Sequence, residues 1–179
     1  MKSYYFLFVT AVLLYGVSIT SCNRKQQNCC CAEEETKTKV EVILKDYGAE
    51  PTVLDIDAYA TTNNNFRTAL WTGTLLQVTL MSIPVGGDVG LEQHTDTDQF
   101  LRIEEGQAKV EMGDRKEALT FTAIAEKDYA IIVPAGKWHN ITNIGDKPLK
   151  LYSIYSPVEH PHGTVHKTQQ ESEEAEHQH

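Results

Sequence analysis

Cysteine is absent from the chain after Cys31, and histidine is absent before His94. Disulfide bonds therefore cannot cross-link the larger, C-terminal part of the chain. Basic residues are also few, 16 against 25 acidic ones, which gives a formal net charge of −9. This charge argues against a nucleic-acid binder, which needs basic side chains to meet the phosphates, and against electrostatic docking onto anionic lipid.

A long hydrophobic run is also missing. The apolar stretch over residues 4–19 has 16 residues, fewer than the roughly 20 that span a bilayer as a helix. It follows Lys2 and ends in Ile19-Thr20-Ser21-Cys22, a pattern typical of a secretory signal. The last four residues resemble the lipobox of bacterial lipoproteins. The resemblance implies a signal peptide over residues 1–21 and lipidation of Cys22, which would anchor the protein to a bacterial membrane in the cell envelope, on its periplasmic or surface side.

An uncleaved membrane anchor, or an ordinary signal with a chance cysteine, is the alternative interpretation of this N-terminus. Residues 22–39 are polar and nearly free of large apolar side chains, so they cannot bury enough surface to fold and are interpreted as a tether. Residues 169–179 are acidic and polar, and the same argument predicts a disordered tail. One folded domain, residues 40–168, is left between them.

The folded domain has the sequence pattern of an all-β protein. Runs of β-forming residues recur at short spacing between Gly, Asn, Asp and Pro. We expect strands at residues 40–44, 75–83, 100–103, 108–112, 129–133, 139–142 and 149–155, with one short helix near residues 55–60. Many short, evenly spaced strands predict a sandwich or a barrel, and a chain of this size suits one small barrel with a single ligand cavity.

Two motifs carry the candidate chemistry. In the first, Glu92 and His94 are two residues apart, so on a strand both point to one face. The polar segment over residues 95–98 can reverse the chain and return Gln99 toward the same cavity. In the second, a Pro-x-Gly turn at residues 134–136 delivers His139 onto the following strand.

These motifs resemble the two signature motifs of the cupin superfamily, over roughly residues 75–155. The second, Pro-x-Gly-x-x-His-x-x-x-Asn, matches in full at Pro134, Gly136, His139 and Asn143. The resemblance implies a double-stranded β-helix, the jelly-roll barrel of cupins, with a metal ion inside. It also brings the expectation of a homodimer, since cupin barrels often pair.

The first motif matches the cupin pattern in spacing but departs from it in chemistry. Glu92 stands where the first His is usual, His94 matches the second His, and Gln99 stands where Glu is usual. The implied ligand set is therefore Glu92, His94, Gln99 and His139, with Asp98 as the alternative to Gln99. Such a mixed nitrogen and oxygen set suits one divalent ion, Zn, Mn, Fe or Ni. A cupin that has lost its metal and binds a small molecule is the other interpretation.

A third cluster, residues 160–166, contains His160, His162 and His166 and follows Pro157. The prolines predict a stiff extended segment. It can fold back over the barrel mouth, where His162 would act as a base, or it can be an ordered strap with surface histidines.

Two functions from different classes follow. The first is a metal-dependent enzyme, isomerase-like or dioxygenase-like, acting on a small oxygenated molecule such as a sugar or a hydroxy or keto acid. The metal would act as a Lewis acid, and Glu92 or a histidine of the third cluster would move the proton. The second is a non-catalytic module, anchored to the membrane, that binds or senses a small molecule. The charge of −7 over residues 40–167, with no cluster of Lys and Arg, argues against a phosphorylated substrate.

Overall fold

The computed structural model describes residues 41–176. The predicted signal peptide, the lipidation site Cys22 and the tether lie outside these residues. Within the described range the chain forms two helices, α1 (Ile56–Thr62) and α2 (Gln169–Glu176). The strands are β1 (Arg67–Thr72), β2 (Gln77–Ile83), β3 (Glu92–Gln93), β4 (Asp98–Glu105), β5 (Gln107–Gly113), β6 (Phe121–Glu126), β7 (Ala130–Val133), β8 (Trp138–Asn143), β9 (Leu149–Ser156) and β10 (Val165–His166).

The strands pair in two antiparallel sheets. One sheet has the order β10-β1-β2-β9-β4-β7, and the other has the order β3-β8-β5-β6. Strands that are neighbours in space come from distant parts of the chain, as in the pairing of β9 with both β2 and β4. This all-β arrangement fits the double-stranded β-helix that the motifs implied.

The main core lies between the two sheets. Side chains alternate between the two faces of a strand, so Met81 and Ile83 on β2 and Leu101 and Ile103 on β4 are buried in this core. The same alternation places Gln99 on the inward face of β4, where it is also buried. The first cupin motif therefore delivers a polar side chain next to the apolar core.

A second apolar cluster lies on the other face of the larger sheet, where Tyr59 and Ala60 of α1 pack with Leu70 and Leu80. Asp55 is the N-cap residue of helix α1, and its side chain accepts a hydrogen bond from the Ala58 N–H at 3.2 Å. An N-cap of this kind satisfies one of the free amides of the first turn. The short helix predicted near residues 55–60 is confirmed.

Most of the predicted strands are confirmed, and the differences are as follows. The prediction of a strand at residues 40–44 is wrong, because residues 41–44 form no strand. Val42 and Leu44 are instead half-buried against the α1 cluster. Their alternation thus reflects one-sided packing without a ladder of backbone hydrogen bonds. Strands β1, β6 and β10 were missed. Strand β1 begins with a charged residue, β6 has a largely exposed surface, and β10 has only two residues.

The C-terminal segment differs from its prediction as well. Residues 169–176 form α2, where the composition predicted disorder. Thr168 accepts a hydrogen bond from the Glu171 N–H at 3.2 Å, and the Glu171 carboxylate accepts one from the Lys167 N–H at 2.6 Å. This Thr-x-x-Glu pattern is a variant of the helix capping box. Among the described residues, neither helix has the length and apolar character needed to cross a membrane.

Candidate metal centre

The first two candidate ligands are placed by strand register. Glu92 on β3 is the direct antiparallel partner of His139 on β8, and directly opposed side chains lie on the same face. His94 follows two residues after Glu92. The turn of the second motif meets this segment, because the Gly136 N–H donates to the His94 carbonyl at 2.7 Å. The two motifs are therefore joined through their main chains.

The three side chains converge on one point. Glu92 Oε1 lies 3.4 Å from His94 Nε2 and 3.2 Å from His139 Nε2, and the three ligand atoms all lie within 4.8 Å of one another. His139 is fully buried, while the side chains of His94 and Glu92 are 10 % and 16 % exposed. One carboxylate and two imidazoles thus share a nearly closed pocket.

These separations suit a transition-metal ion. With bonds of about 2.0–2.2 Å, adjacent ligand atoms around an octahedral or tetrahedral ion lie about 3.0–3.5 Å apart. The Nε2 atoms of His94 and His139 are both buried and make no hydrogen bond of normal geometry. Two buried imidazole nitrogens directed at a carboxylate oxygen are a donor set that a divalent ion would satisfy. The residues present therefore fit the metal that the cupin motifs imply.

The other nitrogen of each imidazole is held by a second group. His139 Nδ1 lies 3.1 Å from the Lys137 carbonyl; a carbonyl only accepts, so Nδ1 is the donor of this bond and Nε2 is the ring nitrogen that faces the site. His94 Nδ1 lies 3.0 Å from Glu159 Oε1. Such partners fix the tautomer and orientation of metal-binding histidines.

Arg67 sets the charge of the site. Its guanidinium, on β1, is buried and lies 4.0 Å from Glu92 Oε2. Burial alone would raise the pKa of Glu92, but the contacts with His139 and His94 and the charge of Arg67 hold it far below its usual range. Glu92 is therefore an ionised carboxylate with one oxygen toward the histidines and the other toward Arg67.

His94 has the opposite shift. Burial alone would lower its pKa, but the carboxylates of Glu159 and Glu92 outweigh this effect and raise it to about 9. Without an ion, His94 is thus protonated at neutral pH. Because only the neutral imidazole binds a metal, an ion that enters the site displaces this proton.

Gln99 is buried on the inward face of β4, as expected. Its amide nitrogen donates to Ser153 Oγ at 3.0 Å, while its Oε1 atom is buried without a hydrogen-bond partner. An unsatisfied buried acceptor is costly, and a metal ion or ligand would satisfy it. The role of Gln99 as a fourth ligand stays a prediction.

Two other sequence-based assignments are wrong. Asp98 is exposed on the opposite face of β4 and accepts a hydrogen bond from the Ala135 N–H at 2.9 Å, so it holds the turn of the second motif and is no alternative to Gln99. The side chain of His162 is 62 % exposed, lies beside Asp46 and does not line the cavity at the metal site. The Pro161–Thr164 turn, closed by the Thr164 N–H, breaks the alternation and directs His162 away.

A cavity of about 340 Å³ adjoins the candidate metal centre. It is lined by Glu92, Gln93, His94, Glu159, His160, Pro161, Thr164, His166 and Ala175. We call the segment over residues 157–166 the strap. It folds back over the site, as one of the two interpretations of the sequence proposed. The side chains that it adds to the cavity are Glu159, His160 and His166, and not the His162 that was expected. Ala175 adds helix α2 to the wall.

Sequence reasoning missed Arg67 and Glu159. Glu159 stands next to the histidine cluster, which was a usable signal. Arg67 is far from both motifs and is an isolated charge in a strand, so its place depends on a pairing that only the fold shows. A larger apolar cavity of about 500 Å³, lined by residues of β5, β6 and β7, contains no histidine in its wall, and it does not compete as a metal site.

Comparisons with known proteins agree with the fold and motifs. The family model described as "Cupin domain" matches residues 79–155. YrkC of Bacillus subtilis is 55 % identical over 135 residues, which cover 75 % of this chain and 73 % of YrkC. The crystal structure of BH2720 from Bacillus halodurans is 55 % identical, with a TM-score of 0.72, over 73 % of this chain and 98 % of that one.

A protein from Klebsiella pneumoniae with a double-stranded β-helix domain shares the fold at 15 % identity and a TM-score of 0.51, over 66 % of this chain and 94 % of that one. At this identity the likeness shows the fold alone. Four observations lead to one conclusion: the paired sheets, the two motifs, the matching family model and the relatives at 55 % identity. The chain belongs to the cupin superfamily.

Proposed function

We propose that the protein is a metal-dependent enzyme that acts on a small oxygenated molecule, by isomerase-like or dioxygenase-like chemistry. The observation that carries the proposal is the convergence of Glu92, His94 and His139 within 4.8 Å of one another at a cavity of about 340 Å³. A pocket of this size suits a small ligand. A divalent ion bound there, Zn, Mn, Fe or Ni, would polarise a carbonyl or hydroxyl oxygen of the substrate as a Lewis acid.

We assign different roles to the residues of the site. Glu92, His94 and His139 would hold the ion, and Glu159 would keep the His94 ring in place. A carboxylate whose pKa is held far below the usual range is a weak base. The structure therefore supports Glu92 as a ligand more than as the proton-transfer group suggested by the sequence.

The charge of the occupied site favours an anionic substrate. A divalent ion and Arg67 together outweigh the carboxylates of Glu92 and Glu159 by one positive charge. No Lys or Arg lines the described wall of the cavity, which argues against a phosphate group. A hydroxy or keto acid fits this balance better than a phosphorylated sugar.

The proposal is tested by metal content and turnover. Purified protein would be analysed for bound metal and then assayed with keto, hydroxy and enediol compounds in air and under anaerobic conditions. We expect a stoichiometric ion that is lost in His139→Ala and His94→Gln and retained in the matched control His162→Gln. Turnover that requires dioxygen supports the dioxygenase-like reaction, and turnover without it supports the isomerase-like one. A correctly folded protein that takes up no metal contradicts the proposal.

A non-catalytic binding or sensing module is the second candidate. The observation in its favour is Arg67, which balances the charge of Glu92 without any ion. Saturable binding of a small molecule by the metal-free protein, without turnover in either atmosphere, would establish this function in place of the first.

We also propose that the protein is a lipoprotein of the bacterial cell envelope, anchored through Cys22. The support is the sequence of residues 19–22. Labelling with a radioactive fatty acid should mark the native chain and leave Cys22→Ser unmarked. A labelled Cys22→Ser protein would contradict the anchor.

A homodimer is proposed as the assembly. Strands β6 and β7 are the outer strands of their sheets and expose Phe121, Ile124 and Ile132. Exposed apolar patches of this kind are typical of interfaces. Light scattering should give twice the chain mass, reduced to one chain mass in Ile132→Lys; a monomeric native protein would contradict the dimer.

A further inference from the structure

Two buried polar groups beside the candidate metal centre have no role as ligands of the ion. They are the Tyr155 hydroxyl, at the end of β9, and the His160 imidazole, in the strap. Tyr155 is fully buried and His160 is 9 % exposed. Tyr155 Oη and His160 Nε2 both lack a hydrogen-bond partner of normal geometry among the described residues. Buried polar atoms are seldom left in this state, so the pair indicates a missing ligand. His160 lines the cavity at the metal centre, and the Tyr155 ring packs directly against the His160 ring.

The position of His160 is fixed by a dedicated clamp. Gln77, fully buried on β2, accepts a hydrogen bond from the His160 N–H at 2.9 Å. The Gln77 side-chain amide also donates to the His160 carbonyl at 2.8 Å. A buried amide that binds both main-chain groups of one residue holds that residue rigidly. The clamp therefore places the imidazole on the cavity wall, whereas His162, two residues later, faces solvent.

Tyr155 connects His160 with the metal ligands. Its ring meets the His94 ring edge-on, with centroids 5.7 Å apart, and meets the His160 ring in the same way at 5.1 Å. Among the described residues, no hydrogen-bond partner of normal geometry meets the Tyr155 hydroxyl.

We propose that Tyr155 and His160 are the substrate-binding half of the site. They hydrogen-bond to oxygen atoms of a ligand that is bound at the same time to the metal held by Glu92, His94 and His139. The ligand class is a small anion with oxygen atoms on two adjacent carbon atoms, as in a hydroxy or keto acid. This inference rests on the proposed function, because it requires a metal at the three ligands.

The test uses the full chain loaded with Co²⁺, whose visible absorption reports on its ligands. The probe is acetohydroxamate, a small molecule that binds a metal as an anion through two oxygen atoms carried on adjacent carbon and nitrogen atoms. The variants are Tyr155→Phe, which keeps the ring and its packing, and His160→Gln. His162→Gln is the matched control. We expect all variants to bind one Co²⁺ as the native protein does. The Kd for acetohydroxamate should rise about tenfold in Tyr155→Phe and in His160→Gln, and it should not change in His162→Gln.

The outcomes separate this inference from the proposed function. A native protein that gives no Co²⁺ spectrum contradicts both. Normal Co²⁺ binding with an unchanged probe Kd in Tyr155→Phe and His160→Gln overturns the inference and leaves the metal site intact. Loss of Co²⁺ from His160→Gln while Tyr155→Phe retains it would make His160 a metal ligand, which also overturns the inference.

Discussion

Glu92 and His139 are direct partners across the short β3–β8 pair, and their side chains meet with Glu92 Oε1 3.2 Å from His139 Nε2. This one contact joins the two signature motifs of the cupin domain. It also shows why a carboxylate can stand where the family usually has histidine, because the buried Arg67 faces its second oxygen. The carboxylate of Glu92 and the guanidinium of Arg67 therefore form one charge-balanced unit.

Glu92→Gln is expected to lower the affinity for the metal and also the stability of the metal-free fold. Arg67 would keep its buried charge without the carboxylate, which costs about 2–3 kcal/mol of unfolding free energy. Urea unfolding in the presence of a chelator measures this loss. Glu105→Gln, which removes an exposed partner of Lys147, is the control and should change stability by less than about 1 kcal/mol. Equal losses in the two variants would contradict the role of the Arg67–Glu92 pair.

Metal affinity is expected to rise with pH up to about 9. In the metal-free protein the pKa of His94 is raised to about 9, so below that pH each bound ion must displace a proton. The Kd should therefore fall about tenfold per pH unit between pH 7 and pH 8. Competition titrations with a calibrated chelator measure it, and a pH-independent Kd in that interval would contradict a protonated His94.

The raised pKa of His94 has the opposite effect on the stability of the metal-free protein, which should fall as the pH rises. A histidine whose pKa is raised by folding stabilises the folded state fully below its unfolded pKa of about 6.5. That contribution is lost as the pH rises toward 9. We expect the part of the unfolding free energy that Glu159→Gln removes to shrink over this interval, measured by urea unfolding in chelator.

Glu159→Gln should weaken metal binding without removing a ligand. Glu159 Oε1 lies 3.0 Å from His94 Nδ1, and loss of such a supporting carboxylate typically costs 10- to 100-fold in metal affinity. The variant should still bind one ion, with a Kd about tenfold higher when both proteins are compared above pH 9, where His94 is neutral and no proton has to be displaced. Glu105→Gln, whose carboxylate pairs with Lys147 at the surface, is the control. No bound ion at saturating metal would show that Glu159 is itself a ligand.

Helix α2 is expected to depend on Ser172. The helix has eight residues, too few to be stable alone, and the buried Ser172 Oγ accepts a hydrogen bond from Arg67 Nη1 at 2.6 Å. Ser172→Ala should speed amide hydrogen exchange in residues 169–176 severalfold, while the exposed Glu173→Ala should not. Equal exchange in the native and Ser172→Ala proteins would show that other contacts hold the helix.

The second motif could be predicted well because its chemistry is local. Gly136 takes a positive φ of 79° in the turn before His139, where a side chain is disfavoured. Asn143 donates to the carbonyls of Ile83 and Lys147 at 3.0 and 2.9 Å, so the final residue of the motif closes the barrel wall. All of these residues could be identified from the spacing of the motif alone.

Arg67, Tyr155 and Glu159 could not be identified in the same way. They reach the site through pairings between segments far apart in sequence, such as β1 with β2 and β2 with β9. Their types alone, an arginine in a strand or a tyrosine at a strand end, are common without any function. The prediction of disorder at residues 169–176 is wrong for another reason. Their acidic, polar composition favours disorder, whereas the local cap at Thr168 and Glu171 favours a helix.

The central claim is that Glu92, His94 and His139 bind one metal ion. The most direct measurement is anomalous X-ray diffraction at the absorption edge of the metal found in the purified protein. We expect a single anomalous peak about 2.0–2.3 Å from Glu92 Oε1, His94 Nε2 and His139 Nε2. Crystals grown with added metal that show no peak there, with Glu92 still bridging the two imidazoles, would contradict it.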